Sequence, residues 1–264
     1  MKMDKENIGR ELLPKVGRYD FMVEPFHCDF RNRFFAGHLG NAMLNAADYH
    51  SNDRGYGMSY LNPLHKTWVL SRLAIEMNEM PQAYERFTID TWVDSVMRFF
   101  TSRNFRVSVG GTVCGYGKSI WAMIDTDSRQ PVDILAVRDG LIKQYIDTET
   151  ACPIDKSSRV KMGEAARQIG SIATNYSDVD INGHVNSVKY IEHVLDLWPL
   201  DWYRRHRVKR FEIAYVAESH CGDVLNFYRE EIAENEYGIK ITKSNGNAPE
   251  EIEVVRCKVD FEEY

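Results

Sequence analysis

Between Ser177 and His193 the chain reads SDVDINGHVNSVKYIEH. Asp178, Asp180 and Asn182 alternate, Gly183 follows, and His184 comes next. Three chemistries suit such a run: calcium coordination, hydrolysis by carboxylate, amide and imidazole, or a polar turn that caps a helix. A calcium loop needs a bidentate Glu at its twelfth position and a helix on each side. Counted from Asp178, the twelfth position is Lys189, and the preceding ARQIGSIATNY alternates like a strand. A capping turn suits Asp, Asn and Gly. It accounts for one or two polar residues, not for a dense Asp-x-Asn-x-His-Val-Asn. A further candidate is Glu218, at the end of an apolar run, where partial burial would bring a carboxyl into general-base range. Its plainer reading is a solvated strand-end charge.

Placing these groups requires a scaffold. The 264 residues, 44% hydrophobic and 27% charged, are enough for one large domain or two small ones. No run is long enough for a transmembrane helix. The N-terminal MKMDKENIGRELLPK has no apolar core and carries acids, so it reads as neither a signal nor a transit peptide. Cys28, Cys114, Cys152, Cys221 and Cys257 are scattered and odd in number, which suits reduced thiols in a cytoplasmic protein and argues against a zinc site. A net charge of −6 argues against a general grip on nucleic acid. No metal or cofactor is expected.

Two helix-like segments begin alike: GHLGNAMLNAADYH at Gly37 and GHVNSVKYIEHVLD at Gly183, 146 positions apart. Leu39, Ala42, Met43, Ala46 and Ala47 share a face of the first; Val185, Val188, Ile191, Val194, Leu195 and Trp198 nearly do so in the second. A strand-like run precedes each helix and four follow: TWVLSRLAIEM, ERFTIDTWVDSV, SRNFRVSVG and GKSIWAMID, then VKRFEIAYVAE, DVLNFYREEIA, YGIKITK and EIEVVRCKVDF. The expectation is an α+β fold of two similar halves, each an antiparallel sheet with a long helix on one face. The polar stretch between them reads as a connector with short helical turns. In this register Asn32, Phe34, Ala36 and His38 stand opposite Asp178, Asp180, Asn182 and His184. Only the His persists, which places chemistry in the second half and apolar binding in the first.

DINGHVNSVKYIEHVL resembles the Asp-x-Asn-x-His-Val-Asn motif of the fatty acyl-acyl carrier protein (acyl-ACP) thioesterases. FEIAYVAESHCGDVL is similar to their second active-site segment. TWVLSRLAIEM, IDTWVDS and SIWAMID resemble their N-terminal half, so the likeness spans roughly residues 19–261. The resemblance implies a tandem double hotdog, each half a sheet wrapped around a long central helix. The N-terminal hotdog (1–145) would hold the acyl chain, with a connector (146–165) and a catalytic C-terminal hotdog (166–264). It implies hydrolysis of acyl-ACP to free fatty acid and holo-ACP in fatty acid biosynthesis, with Asp180, Asn182, His184 and Glu218 as the active site. The family's older mechanism places a nucleophilic Cys after that Glu; this chain has Ser219. Cys221, two residues on, would share a strand face with Ser219 and oppose Glu218.

For the chemistry, His184 and the Asn182–Gly183 turn are expected at a helix start, where free N–H groups would receive the thioester carbonyl oxygen. Met43, Met58, Trp68 and Leu70, with Met77, are candidates for the acyl-chain wall; core packing is the plainer reading for each. The acidic carrier, bearing its acyl group on phosphopantetheine, needs a basic patch on an acidic protein. YRRHRVKR (203–210) holds five Lys or Arg in eight positions, so Arg204, Arg205, Arg207 and Lys209 are candidate carrier contacts; a solvated basic turn is the alternative. An acyl-CoA thioesterase would use the same chemistry, and a non-catalytic acyl-binding hotdog would turn Glu218 away from His184. A hotdog hydratase signature, with four residues between Asp and His, does not match. Either a monomer or a homodimer is compatible with a fused pair.

Overall fold

The computed structural model describes residues 12–158, 160–244 and 251–264. Most of the N-terminal stretch read above for a leader segment, residues 1–11, lies outside them. Strand β1 (Gly17–Met22) leads through a short turn into helix α1 (Ala36–Asp53) and a four-residue helix α2 (Met58–Leu61). Strands β2 (Lys66–Met77), β3 (Arg86–Val96), β4 (Phe100–Val109) and β5 (Thr112–Asp125) complete the first half. After a connector with a short 3-10 segment (Ile134–Tyr145), β6 (Arg167–Ala173) leads to helices α3 (Ser187–Leu195) and α4 (Leu200–Tyr203). Strands β7 (His206–Tyr215), β8 (Val224–Ala233), β9 (Glu236–Ser244) and β10 (Ile252–Glu263) follow.

Among the described residues, ten strands form one antiparallel sheet in the order β1-β3-β4-β5-β2-β7-β10-β9-β8-β6. The order reads the same from either edge once each strand is replaced by its counterpart in the other half. β2 and β7 join the halves, with Arg72 opposite Ala214 and Glu76 opposite Arg210. Buried charge locks this seam. Arg210 donates to Glu76 at 2.7 Å, to Glu212 at 2.8 Å and to the connector carbonyl of Asp155 at 2.9 Å. Burial pushes the Glu212 carboxyl up, but hydrogen bonds from Ser158 and Arg210 outweigh it and hold the group below its usual range.

The helices lie against one face of the sheet because their apolar stripes match it. Leu39, Met43 and Ala46 of α1 and Ile191 and Val194 of α3 are buried in one core with Phe105, Phe211 and Phe227. The two helices touch across glycine: a Cβ on Gly37 would lie 2.9 Å from Glu192 Cγ, and one on Gly40 would lie 3.3 Å from Ile191 Cδ1.

The strands lie where alternation placed them. The helices do not start in matching places. α1 contains Gly37 and His38, whereas α3 begins only at Ser187, capped by Asn186, whose Oδ1 accepts the Val188 N–H at 3.0 Å. The expected helix start at Asn182–His184 is therefore corrected: those residues form a loop ahead of α3.

Candidate active site

The loop before α3 is held by its own Asp. Asp180 Oδ1 accepts the N–H groups of Asn182 (2.8 Å) and His184 (3.4 Å), and the Asp180 N–H donates to the His184 carbonyl at 2.8 Å. Gly183 turns the chain at φ +80°, and its N–H donates to the Asp180 carbonyl at 3.0 Å. Asp178 braces the base of the loop, taking the Asn175 N–H at 2.7 Å and lying 3.0 Å from His193 Nε2. These bonds leave the Asn182 and His184 side chains at the rim.

Glu218 reaches them from the segment after β7. It is off the strand, on the third residue past Tyr215. Its Oε2 lies 3.4 Å from His184 Nε2, with side chains 39% and 26% exposed. His220 packs edge-on to His184 with ring centroids 5.0 Å apart. Two bonds fix the Glu218 backbone neighbourhood: Lys243 Nζ donates to its carbonyl at 2.6 Å, and the Val185 N–H donates to the Ser219 carbonyl at 2.8 Å. Arg129, in the turn after β5, ion-pairs with the Glu218 carboxylate. It belongs to the first half and was missed; a single turn Arg 89 positions away carries no signal of this pairing.

The expected strand face shared by Ser219 and Cys221 is not found, because the segment has left the sheet. Ser219 is fully buried and Cys221 exposed. Ser219 Oγ and the Tyr190 hydroxyl lie beside each other, yet neither completes a hydrogen bond. Burial pushes Tyr190 up to about 12.

The first half contains the same loop. The Asp29 N–H donates to the Arg33 carbonyl at 2.8 Å, and Asp29 Oδ1 accepts the N–H groups of Arg31 (2.8 Å) and Arg33 (3.0 Å). Asn32 takes the left-handed turn at φ +64°, and its N–H donates to the Asp29 carbonyl at 3.0 Å. The Phe34 N–H donates to Pro81 as the Val185 N–H does to Ser219, and Phe35 precedes α1 as Asn186 precedes α3. The structural register is thus 151 positions, not 146. Asp29, Arg31 and Arg33 stand for Asp180, Asn182 and His184, and Met80, third past β2, stands for Glu218. The Asp persists and the His does not, which reverses the sequence expectation. His38 lies in the first turn of α1, stacked on His27 at 3.9 Å; burial, and then His27, lower its pKa.

Two cavities stand out among the described residues, and neither is lined by Asp180, Asn182, His184 or Glu218. One of about 190 Å³ is lined by Met58, Trp68, Trp121 and Arg103. Trp68 pairs with Met123 on β5, just before the Arg129 turn, so this cavity shares the Glu218 end of the sheet. Arg103 is 4% exposed; it donates to Ser51 Oγ at 3.0 Å and Thr91 Oγ1 at 3.3 Å, with no carboxylate in ion-pair range among the described residues. Of the other expected wall residues, Met43, Leu70 and Met77 are buried in the main core, and neither Met43 nor Leu70 lines this cavity. The second cavity, about 660 Å³, opens at the Arg33 loop and contains none of Asp180, Asn182, His184 and Glu218.

The basic run is not brought to Glu218. It sits at the start of β7, a ten-residue strand spanning about 33 Å. Arg204 pairs with Asp201, and Arg207 with Glu262; Lys209 donates to Asn78 at 2.8 Å; Arg205 is exposed. Among the described residues no group of three or more His, Cys, Asp or Glu could hold a metal ion, and no helix is long and apolar enough to cross a membrane.

Family models for the acyl-ACP thioesterase N-terminal and C-terminal domains match residues 14–145 and 163–261. The crystal structure of an acyl-ACP thioesterase from Bacteroides thetaiotaomicron VPI-5482 is 47% identical, covers 94% of this chain and 98% of its own, and superposes with a TM-score of 0.86. The 12:0-ACP thioesterase of Umbellularia californica shares the fold, with a TM-score of 0.80 at 18% identity, covering 97% of this chain and all of its own. An oleoyl-acyl carrier protein thioesterase 2, chloroplastic, of Arabidopsis thaliana is 27% identical over 199 residues, 71% of this chain and 53% of that protein. The chain spans about half the length of the curated plant relatives it matches.

Proposed function

The chain belongs to the acyl-ACP thioesterase family, and from that premise we propose that it hydrolyses fatty acyl-ACP thioesters to free fatty acid and holo-ACP in fatty acid biosynthesis. The observation that carries the reading is the Glu218 carboxylate 3.4 Å from His184, against a loop braced by Asp180. In this reading Glu218 takes a proton from a water that attacks the thioester carbonyl. Asn182 and His184 supply N–H groups to the developing oxyanion, in place of the helix N-terminus expected from sequence. Collapse expels the thiolate, which recovers the proton from Glu218. Arg129 holds the carboxylate in position. Single turnover in ¹⁸O-water should put label in the fatty acid alone; label in Glu218 would make the carboxylate a nucleophile.

The acyl chain enters the cavity at Met58 and Trp68. At about 190 Å³ it is little larger than an engineered cavity of roughly 150 Å³ that accepts benzene. It can take the end of an acyl chain. The fold reading is a tandem double hotdog with the halves at 1–145 and 166–264 and a connector at 146–165. The mirrored strand order supports it. Free thiols at all five cysteines suit a cytoplasmic setting. Carrier docking by Arg204, Arg205, Arg207 and Lys209 belongs to the same proposal: the run covers the first half of β7, and the carrier's phosphopantetheine arm bridges the rest of the strand to Glu218. A hydrolysis screen of acyl-ACPs against matching acyl-CoAs across chain lengths tests the reading. Faster turnover of the ACP esters, abolished by Glu218→Gln, is expected. Equal or faster turnover of the CoA esters would move the substrate to acyl-CoA, and no turnover of either would refute hydrolysis.

A further inference from the structure

The 660 Å³ cavity opens at the first-half counterpart of the catalytic loop and is lined from both halves. It has the volume of a small-molecule site, for which 300–1,000 Å³ is typical. Met77, Met80, Trp198 and Val208 give it apolar walls. Phe30 and Phe35 line it while half exposed. The loop backbone is that of the catalytic loop, bond for bond, but its side chains have changed in one direction. The amide of Asn182 and the imidazole of His184 are replaced by the guanidinium groups of Arg31 and Arg33, and the Glu218 carboxylate by Met80.

Such a site has lost the Glu218 carboxylate and gained fixed positive charge; of its two imidazoles, His38 stacks on His27 and His206 lies 3.1 Å from the Trp202 carbonyl. Arg31 stacks on the Tyr264 ring, 3.7 Å from its centroid, and donates to the Arg204 carbonyl. Arg33 donates to the Tyr264 hydroxyl at 3.0 Å and meets a carboxylate, that of exposed Glu79, only at 3.7 Å. Of the carboxylates in the lining, Asp29 is occupied by the loop N–H groups, Glu192 is paired with Lys189 at 2.7 Å, and Asp196 is exposed to solvent. An apolar chamber with the Arg33 guanidinium in its lining and no counterpart of Glu218 suits an anionic amphiphile.

We propose that this cavity is a second, non-hydrolytic site that binds a free fatty acid, its carboxylate on Arg33 and its chain against Met77, Met80, Trp198 and Val208. The choice of a fatty acid rests on the activity proposed above, of which it is the product. The site would let the enzyme sense what it makes.

Calorimetric titration of the full chain with sodium decanoate, below its micelle concentration, and with decan-1-ol tests this. Wild-type protein should show a saturable decanoate site that Met80→Trp and Val208→Trp each weaken at least tenfold. Hydrolysis should stay within twofold, since both residues are remote from Glu218. Arg33→Gln should weaken decanoate at least fivefold and leave decan-1-ol unchanged; melting curves identify any variant that fails to fold, and the other two then carry the test. Decanoate binding indifferent to the folded variants, or decan-1-ol binding as tightly as decanoate, would overturn the proposal. Binding is read without turnover, so the two readings separate. A chain that binds decanoate here but cleaves no thioester keeps the site and loses the activity. A chain that cleaves but has no Met80-sensitive binding does the reverse.

Discussion

The loops at 29–34 and 180–185 are the same backbone built twice. Each has an Asp gathering two N–H groups, a left-handed residue at the fourth position and a carbonyl four residues past a strand receiving the sixth N–H. Their side chains differ at every position that could touch a substrate: amide and imidazole in one, two guanidiniums in the other, with Glu218 facing the first and Met80 in its place beside the second. Scaffold and chemistry are therefore separable here, because the bonds that fix the loop use only the Asp and the backbone. The division of labour is not clean, however. Arg129 comes from the first half and holds Glu218 in the second.

The comparison breaks most decisively at its functional end. Glu218→Gln should lower kcat by about 10³-fold, in the range of a lost general base, while Met80→Ala stays within threefold; steady-state hydrolysis of an acyl-ACP measures both. A Glu218→Gln enzyme with more than a tenth of wild-type kcat would remove the base. The shared brace gives the next test. Asp29→Ala and Asp180→Ala each delete two N–H···carboxylate bonds and should cost about 1–3 kcal/mol in urea unfolding. Only Asp180→Ala should also lose about 100-fold in kcat/KM, because it alone displaces reacting groups. Equal activity loss in the two would mean that both loops are catalytic.

A pH difference between the halves follows from His50 of α1, whose counterpart at the 151 register is Asp201. Burial first, then Arg103 and Arg54, push His50 down to about 2, and it stays neutral between the Lys15 carbonyl (2.9 Å) and the Tyr56 hydroxyl (3.2 Å). The unfolded chain binds this proton near pH 6.5 and the folded chain does not. The stability is fully present above about pH 6.5 and is lost as pH falls toward the folded value, by up to about 1.4 kcal/mol per pH unit. Urea unfolding of His50→Gln between pH 6.5 and 5 should show a flatter slope than wild type. Arg129→Gln comes next, with about a tenfold loss in kcat, or ~1.4 kcal/mol, and an unchanged melting temperature. The smallest effect is expected at Ser219→Ala: the buried hydroxyl makes no bond, so kcat should stay within threefold. A dead Ser219→Ala would bring back a hydroxyl nucleophile.

Strands and helices were legible because alternation and helical spacing report burial directly. Phe105, Val107 and Phe211, Ile213 point to the core as their spacing requires. The pairing of Glu218 with His184 was legible only through resemblance to a family, since no local pattern links residues 34 positions apart. The repeat register was misread because Gly-His recurs at 37 and 183, a coincidence of letters between a helix turn and a loop. The better signal, Asp followed three residues on by Asn or Gly, was present at 29–32 and 180–183. Met43 and Leu70 are buried in the core while Met58 and Trp68 line a cavity, and spacing cannot separate a core position from a cavity wall.

The β2–β7 seam limits how the molecule can move. Five residue pairs and a buried Arg210 bridged to Glu76, Glu212 and the connector oppose a hinge between the halves. Admission of a substrate must then come from the loops at the two ends of the sheet, each breathing on its own while the middle stays closed. In hydrogen exchange the β2 and β7 amides should be the last to open, reporting global unfolding, while the 180–185 and 216–222 amides exchange through local fluctuations. The pair of halves behaves as a single rigid beam with two independently mobile tips.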